Sequence, residues 1–302
     1  MIPVTLIQTI QEVWGQEGAA WLEAFPDLLA DLTHRWSIEV GPPFPDLSYN
    51  YVAPAVRADG TPAVLKLGVP CSDIAGGAEA LRLYGGRGMA RLIEEDLSAA
   101  AMLQERLLPG TALSENLDIE EADAIAAEVL RKLWRPVPSR HSLVTVKDWA
   151  ESFERYRALY GKDAGPLPAS LVDEARQVYN HLAASSAESV LLHGDFHQGN
   201  VLAAQREPWL AIDPKGLIGE PAYDAATLLR DRSDEILAGP RPVRAMIRRL
   251  DRLAAELDLD RERLRAWAFS QAVLSAIWSL EDHGYGWEDA IAAAELLRDI
   301  ST

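Results

Sequence analysis

The 302-residue chain has a single cysteine, Cys71. One thiol excludes an intrachain disulfide and a cysteine-rich metal site, and it fits a reducing compartment. No apolar run approaches the roughly 20 residues a helix needs to cross a bilayer. The first Lys or Arg is Arg35, so the amino end lacks the positive start of a secretory signal; the expectation is a cytoplasmic protein. Positive charge is scarce throughout, with 29 Lys and Arg against 46 Asp and Glu and a formal net charge of −17. Such a surface repels nucleic acid and anionic membranes and draws cations, although acidity also serves solubility alone. Internal repeats and low-complexity tracts are absent as well.

What is present is the composition of a folded globular chain, 48% hydrophobic and 25% charged, long enough for real cores. Up to Trp36 apolar residues recur at three and four positions, which predicts helix, with Pro26 placed to begin a second one. "GPPFP" (41–45) breaks the pattern, and 47–69 reads as a hairpin turning at Asp59-Gly60. A helix over 71–86, capped near Ser72 and ended by Gly85-Gly86, precedes two strand-like runs, "ARLIEED" and "AAAMLQERL". Past "PGTAL" (109–113) the chain turns helical, near 117–134, 147–161, 169–184, 221–235, 241–257, 260–282 and 287–299. Only "SVLLH", "NVLA" and "WLAID" are strand-like there. The organisation is α+β: a small antiparallel sheet lobe over 1–105 with one inserted helix, a connector over 106–112, and a larger helical lobe over 113–302.

The densest chemistry lies in "VLLHGDFHQGNVLAAQREPWLAIDPKG" (190–216). One apolar run delivers His193-Gly194-Asp195, with Asn200 five positions after the aspartate, and a second delivers Asp213 at its carboxyl end. Two carboxylates and an amide oxygen at adjacent strand ends suit a hard divalent cation, and this spacing is that of kinase catalytic loops. Lys66 sits inside the apolar strand "PAVLKL", where a charge is costly unless paired or engaged by ligand. Glu79 in the next helix is the expected partner; a lysine snorkelling from a strand edge is the alternative. His193, Asp195 and His197 at alternate positions also admit a zinc site.

"HGDFHQGNVL" and "AIDPKGLIGEPAYDAATLL" resemble the aminoglycoside phosphotransferase family, relatives of the protein kinases, and within it the streptomycin 6-kinase (aminoglycoside/hydroxyurea resistance kinase) branch. The resemblance spans the chain in element order and is most specific over 190–230. It implies a two-lobed protein-kinase-like fold and transfer of phosphate from ATP to a hydroxyl of a cationic antibiotic, streptomycin at its 6-position, with another aminoglycoside or a housekeeping metabolite as the alternative acceptor. On it, Asp195 is the catalytic base, Asn200 and Asp213 hold magnesium, and Lys66 braced by Glu79 grips the α- and β-phosphates. The Glu105 carbonyl and the Leu107 amide would bind adenine. His193 orients the loop and Asp224 braces it, unless Asp224 is an ordinary helix-start carboxylate. A kinase-like protein that binds nucleotide without transfer is a further reading.

Departures from the protein-kinase pattern narrow the acceptor. "LSYNYVAPAV" contains no glycine, so another backbone shape, around Ser48–Tyr51, must cover the phosphates. "YGKDAG" (160–165) has aspartate where a P-loop needs Ser or Thr. Eleven positions from Asp213 to Asp224 leave no room for a phosphorylated activation segment, so the acceptor is a small molecule. Glu220, Glu281 and Asp282, with Glu288 and Asp289, are the acidic candidates for a cationic acceptor, or else solvated helix faces. Lys215 either touches phosphate or neutralises the loop. His197 is either a surface residue or a substrate contact.

Overall fold

The computed structural model describes residues 2–45, 47–161, 165–186 and 188–300, and its description omits the side chains of Ser72, Asp73 and Asn116. The "YGKDAG" stretch therefore lies partly outside the described residues.

Helix α1 (Val4–Arg35) breaks at Gly15, whose φ of 50° and ψ of −118° are not helical. The break falls there and not at Pro26, which sits inside the second segment. An interior proline forfeits one hydrogen bond, whereas the Gly15 conformation is open to glycine and strained for other residues. Leu6, Ile10, Trp21, Phe25 and Leu32 of α1 are buried against Tyr51, Leu65, Leu67 and Leu103.

Those partners belong to a five-stranded antiparallel sheet of β1 (Ile38–Val40), β2 (Tyr51–Arg57), β3 (Pro62–Leu67), β4 (Leu92–Asp96) and β5 (Ala101–Glu105), ordered β1-β2-β3-β5-β4. Side chains alternate across a strand, so Leu65 and Leu67 face α1 and Lys66 the other way, with Val52 and Met102 as its cross-strand neighbours. Helix α2 (Ser72–Tyr84) ends with Gly85 in the left-handed conformation. Its Ala78, Leu81 and Tyr84 join Met102 in the core that continues into the helical part.

Beyond a short link come α3 (Leu113–Asn116), α4 (Ile119–Leu133), β6 (Arg135–Pro136), β7 (Val144–Thr145), α5 (Val146–Trp149), α6 (Glu151–Tyr160) and α7 (Ala169–Ala184). Then follow β8 (Val190–Leu192), β9 (Val201–Ala203), β10 (Trp209–Ala211), β11 (Leu217–Gly219), α8 (Pro221–Arg230), α9 (Ser233–Leu237), α10 (Pro242–Leu257), α11 (Arg261–His283) and α12 (Glu288–Asp299). β9 and β10 form a hairpin, and β6-β8-β11-β7 form a small mixed sheet. Trp267, Tyr179, Tyr223 and Phe153 centre the core in edge-to-face contacts with centroids 4.9 to 6.2 Å apart. Among the described residues no helix is long and apolar enough to cross a membrane.

Candidate active site

The catalytic-loop segment leaves β8 and returns through β9, and the β9–β10 hairpin sets Asp213 beside it. Gly194 has φ +87°, and a β-carbon there would press Lys215 at 3.1 Å and Leu217 at 3.3 Å; glycine lets the loop cross the Asp213–Leu217 segment closely. The Lys215 N–H donates to the His193 carbonyl at 2.7 Å, and the Ile212 N–H to the Asn200 carbonyl at 2.9 Å. Asn200 Nδ2 donates to the Asp195 carbonyl at 3.0 Å. Asp195, Asn200 and Asp213 thus meet in one place. No donor among the described residues reaches the Asp195 carboxylate or Asn200 Oδ1. Asp213 adopts φ 56°, a conformation non-glycine residues hold only where the surroundings enforce it.

Lys66 reaches across from β3 and ion-pairs with Asp213, while Lys215 Nζ stands 3.6 Å from the other carboxylate oxygen. Burial pushes the Asp213 carboxyl up, but the two lysines more than reverse this and hold it well below the ordinary range. The expected Lys66–Glu79 pair is not made. Glu79 accepts from the Ser142 N–H at 3.0 and 3.1 Å and from the Ser142 hydroxyl. Burial opposes its charge, yet these bonds leave its carboxyl below the usual value. What holds α2 against the site is instead backbone proximity. A β-carbon at Gly76 would sit 2.7 Å from the Lys215 carbonyl oxygen, and one at Gly77 2.8 Å from that of Pro214.

His193 is fully buried, which lowers its pKa to about 4 and keeps the ring neutral. Its Nε2 lies 2.8 Å from the Ile212 carbonyl and its Nδ1 accepts from the Asp195 N–H at 3.3 Å. Both nitrogens are spent on backbone, so the His193–Asp195–His197 zinc arrangement is not formed. Asp224, at the start of α8, accepts from the amides of His193 and Gly194 at 2.9 Å each and from Trp134 Nε1 at 3.2 Å. Burial, with Asp195 adding to it, pushes its carboxyl up to about 6 against the lowering pull of those bonds.

In the connector, the Leu107 N–H meets no acceptor among the described residues. Leu107 is buried with Ala90 and Leu210, and Leu202 and Ile212 pack partly exposed beside them, an apolar cluster next to the loop. The Glu105 carboxylate is held by Arg206 at 3.1 and 2.9 Å and by the Arg91 N–H at 3.0 Å. Arg206 also grips the carbonyls of Gly86 and Met89, tying the β9–β10 turn to the sheet lobe.

Of the acidic acceptor candidates, Glu220 is buried between Arg263, at 2.6 Å, and Trp267. It is a structural carboxylate with no face for a substrate. Glu281 is engaged by Arg155 at 3.2 and 3.0 Å. Glu288 and Asp289 are exposed in the first turn of α12, where they complement its dipole. Asp282 differs: it accepts from the Tyr49 hydroxyl at 2.9 Å, joining the loop before β2 to the end of α11. Burial and Asp282 raise the Tyr49 pKa, Lys215 draws it down and Asp195 adds to the rise, which puts this contact within electrostatic reach of the reaction centre. Sequence reasoning missed Ser142, Arg206, Trp134 and Gln198, whose contacts with Glu79, Glu105, Asp224 and Asp123 are long-range.

A sheet lobe with one inserted helix, joined to a helical lobe that carries a converging Asp/Asn/Asp set, is a protein-kinase-like phosphotransferase architecture. The chain matches the family described as aminoglycoside/hydroxyurea antibiotic resistance kinase over residues 35–283, and it belongs to that family. It is 36% identical to streptomycin 6-kinase of Streptomyces glaucescens, covering 98% of this chain and 97% of that one. It is also 36% identical to hydroxyurea phosphotransferase of Kitasatospora aureofaciens, covering 98% and 85%. Choline kinase LicA from Streptococcus pneumoniae shares the fold, with TM-score 0.64, 13% identity and 91% and 99% of the two chains covered. So does aminoglycoside phosphotransferase APH(4)-Ia in complex with ADP and hygromycin B, with TM-score 0.61, 17% identity and 90% and 96% covered. The protein is a phosphotransferase with a hydroxyl acceptor.

Proposed function

We propose that the protein transfers the γ-phosphoryl group of ATP to a hydroxyl of a cationic aminocyclitol antibiotic, streptomycin at its 6-hydroxyl. The observation that carries the phosphoryl transfer is the meeting of Asp195, Asn200 and Asp213 opposite Lys66; the choice of acceptor is supported by the likeness to streptomycin 6-kinase. The nucleotide lies between residues 1–105 and 113–302, with 106–112 as the hinge. Adenine packs on the partly exposed Leu202 and Ile212 beside Leu107 and takes its hydrogen bonds from the backbone at Glu105 and Leu107.

The donor set fits magnesium, because Asn200 Oδ1 and the Asp213 carboxylate offer only oxygen. These two would hold the ion, which when bound supplies neutralisation of phosphate charge. Lys66, now on Asp213, turns to the phosphates. The acceptor oxygen attacks the γ-phosphorus and ADP departs, while the free Asp195 carboxylate aligns the hydroxyl and takes its proton. Alignment and charge stabilisation account for the rate. Asp282, beside Tyr49, is the acidic group best placed to receive a cationic acceptor, and the formal net charge of −17 favours its approach.

The test is transfer of label from γ-labelled ATP across streptomycin, hygromycin B and hydroxyurea, with Asp195→Ala as control and the phosphorylated position located by NMR. Transfer to the streptomycin 6-hydroxyl, lost in Asp195→Ala, is expected. Transfer to hydroxyurea alone selects the activity of the second relative, and label transfer that survives Asp195→Ala overturns the site.

A further inference from the structure

A second buried polar cluster lies beneath the catalytic loop and touches none of the groups assigned above. Asp123 of α4 and Arg249 of α10 are 3% and 5% exposed. They form a two-pronged ion pair, Nε to Oδ2 at 2.7 Å and Nη2 to Oδ1 at 2.9 Å. A buried pair of this kind loses much of its attraction to desolvation, and an apolar pair of equal volume often stabilises as well. What it offers that an apolar pair lacks is direction.

That direction is toward Gln198, in the turn between Asp195 and Asn200 and fully buried. Gln198 Nε2 donates to Asp123 Oδ1 at 2.8 Å, and its Oε1 accepts from Arg232 at 2.9 Å. Its backbone N–H donates to Asp231 Oδ2 at 2.8 Å. Arg249 fixes the same corner by donating to the carbonyls of Leu228, at 2.8 Å, and Asp231. Arg232 holds a left-handed φ of 53°, the strained backbone expected where surroundings dictate geometry. Helix α8 therefore works as a bar with a grip at each end. Asp224 at its start holds residues 193 and 194, and Asp231 just past its end holds residue 198.

We infer that Asp123, Arg249, Asp231 and Gln198 form a second positioning anchor for the catalytic loop. They act through the Gln198 turn to set where Asn200 and Asp195 point, without touching nucleotide or acceptor. The inference rests on the reading of Asp195 and Asn200 given above.

The test uses the full-length chain with MgATP and streptomycin. Gln198→Met keeps the volume and deletes both side-chain links. Its kcat is expected to fall about tenfold to a hundredfold, the scale of a small misplacement, while both KM values stay within about threefold. Backbone amides of 195–203 exchange hydrogen faster in this variant, with α7 and α11 unchanged. Asp231→Asn, which keeps an acceptor for the Gln198 N–H, retains most of the activity that Asp231→Ala loses. The inference is overturned by a folded Gln198→Met with wild-type kcat, or by exchange that accelerates equally throughout the helical lobe. An active Asp195→Ala would instead remove the underlying functional reading.

Discussion

Replacing Asp224 by Asn separates stability from catalysis, and the two terms can be sized. The carboxyl, ordinarily near 3.8, is pushed up to about 6 in the folded protein. At 1.36 kcal/mol per pKa unit this is a charge-burial penalty of about 3 kcal/mol once the group is ionised. The sign follows from the raised value. Well below pH 3.8 the group is protonated both folded and unfolded and the penalty is absent, and at pH 4 it is still only about 0.5 kcal/mol. It grows as pH rises and is complete above 6. Asn never bears it. Against that gain, Oδ2 accepts from His193 and Trp134 and Oδ1 from Gly194. An amide can serve only one side, and the better orientation turns its NH2 toward the Gly194 N–H. An unsatisfied buried donor costs about 1–3 kcal/mol. Near pH 7.5 the terms nearly cancel, so urea denaturation should find the variant within about 2 kcal/mol of wild type. At pH 4 the variant should be less stable by about 1–3 kcal/mol. Its kcat at pH 7.5 should nevertheless fall about tenfold or more, because the released peptide is the one preceding Asp195. The wild-type kcat should decline as pH drops through 6 and Asp224 gains a proton. A stability difference independent of pH, or an unchanged kcat in the folded variant, would refute this reasoning.

Asp213→Ala should keep its fold and lose about three orders of magnitude in kcat, along with the magnesium-dependent part of ATP-induced thermal stabilisation; retention of that part would count against the metal assignment. Glu220→Gln should cost about 1–3 kcal/mol by removing the charge that Arg263 Nε and Trp267 Nε1 meet, seen as a lower Tm at unchanged acceptor KM. A raised KM at unchanged Tm would return Glu220 to the acceptor site. Gly76→Ala forces a methyl to 2.7 Å from the Lys215 carbonyl oxygen. The overpacking, about 1–3 kcal/mol, exceeds the helix-propensity gain of about 1 kcal/mol. Both Tm and kcat should fall; wild-type values for both would show that α2 is not seated on this segment.

The legible parts of the fold were those that local rules govern. The strand pattern of "PAVLKL" places Lys66 inside β3, the Asp59-Gly60 turn fixes the hairpin, and the groups from His193 to Asp213 come together because the β9–β10 hairpin joins strand ends within a short stretch. Pairings between distant positions were not legible. Asp123 and Arg249 read as charges on amphipathic helices 126 positions apart, and nothing local marks them as mutual partners. Glu79 was assigned to the lysine one strand away because Ser142 lies in an irregular stretch 63 positions on. Strands of two or three residues, such as β6, β7 and β11, carry no periodicity to read. The break between α8 and α9 sits at an arginine with φ 53°, where a residue-based rule expects glycine. The sequence does carry one signal of this packing: Gly76-Gly77 inside a helix costs about 1 kcal/mol per residue relative to alanine, and such a pair points to close backbone approach.

That glycine pair bears on how the site is kept aligned. A helix held by a Lys–Glu bond can swing when the bond breaks, and the bond can then serve as a switch. In this chain the glutamate is bound to Ser142 and the lysine spans the cleft to Asp213. The helix rests instead on the carbonyls of Pro214 and Lys215 at contact distance, and a β-carbon at Gly216 would meet the Gly76 carbonyl oxygen at 2.4 Å. Backbone packed at contact distance transmits a displacement rather than absorbing it. The short stretch from Asp213 to Asp224 adds no segment that could pry it apart. Alignment here is built in by packing. On the proposed function, the part that answers nucleotide is the Lys66 side chain, which leaves the Asp213 carboxylate to reach the phosphates.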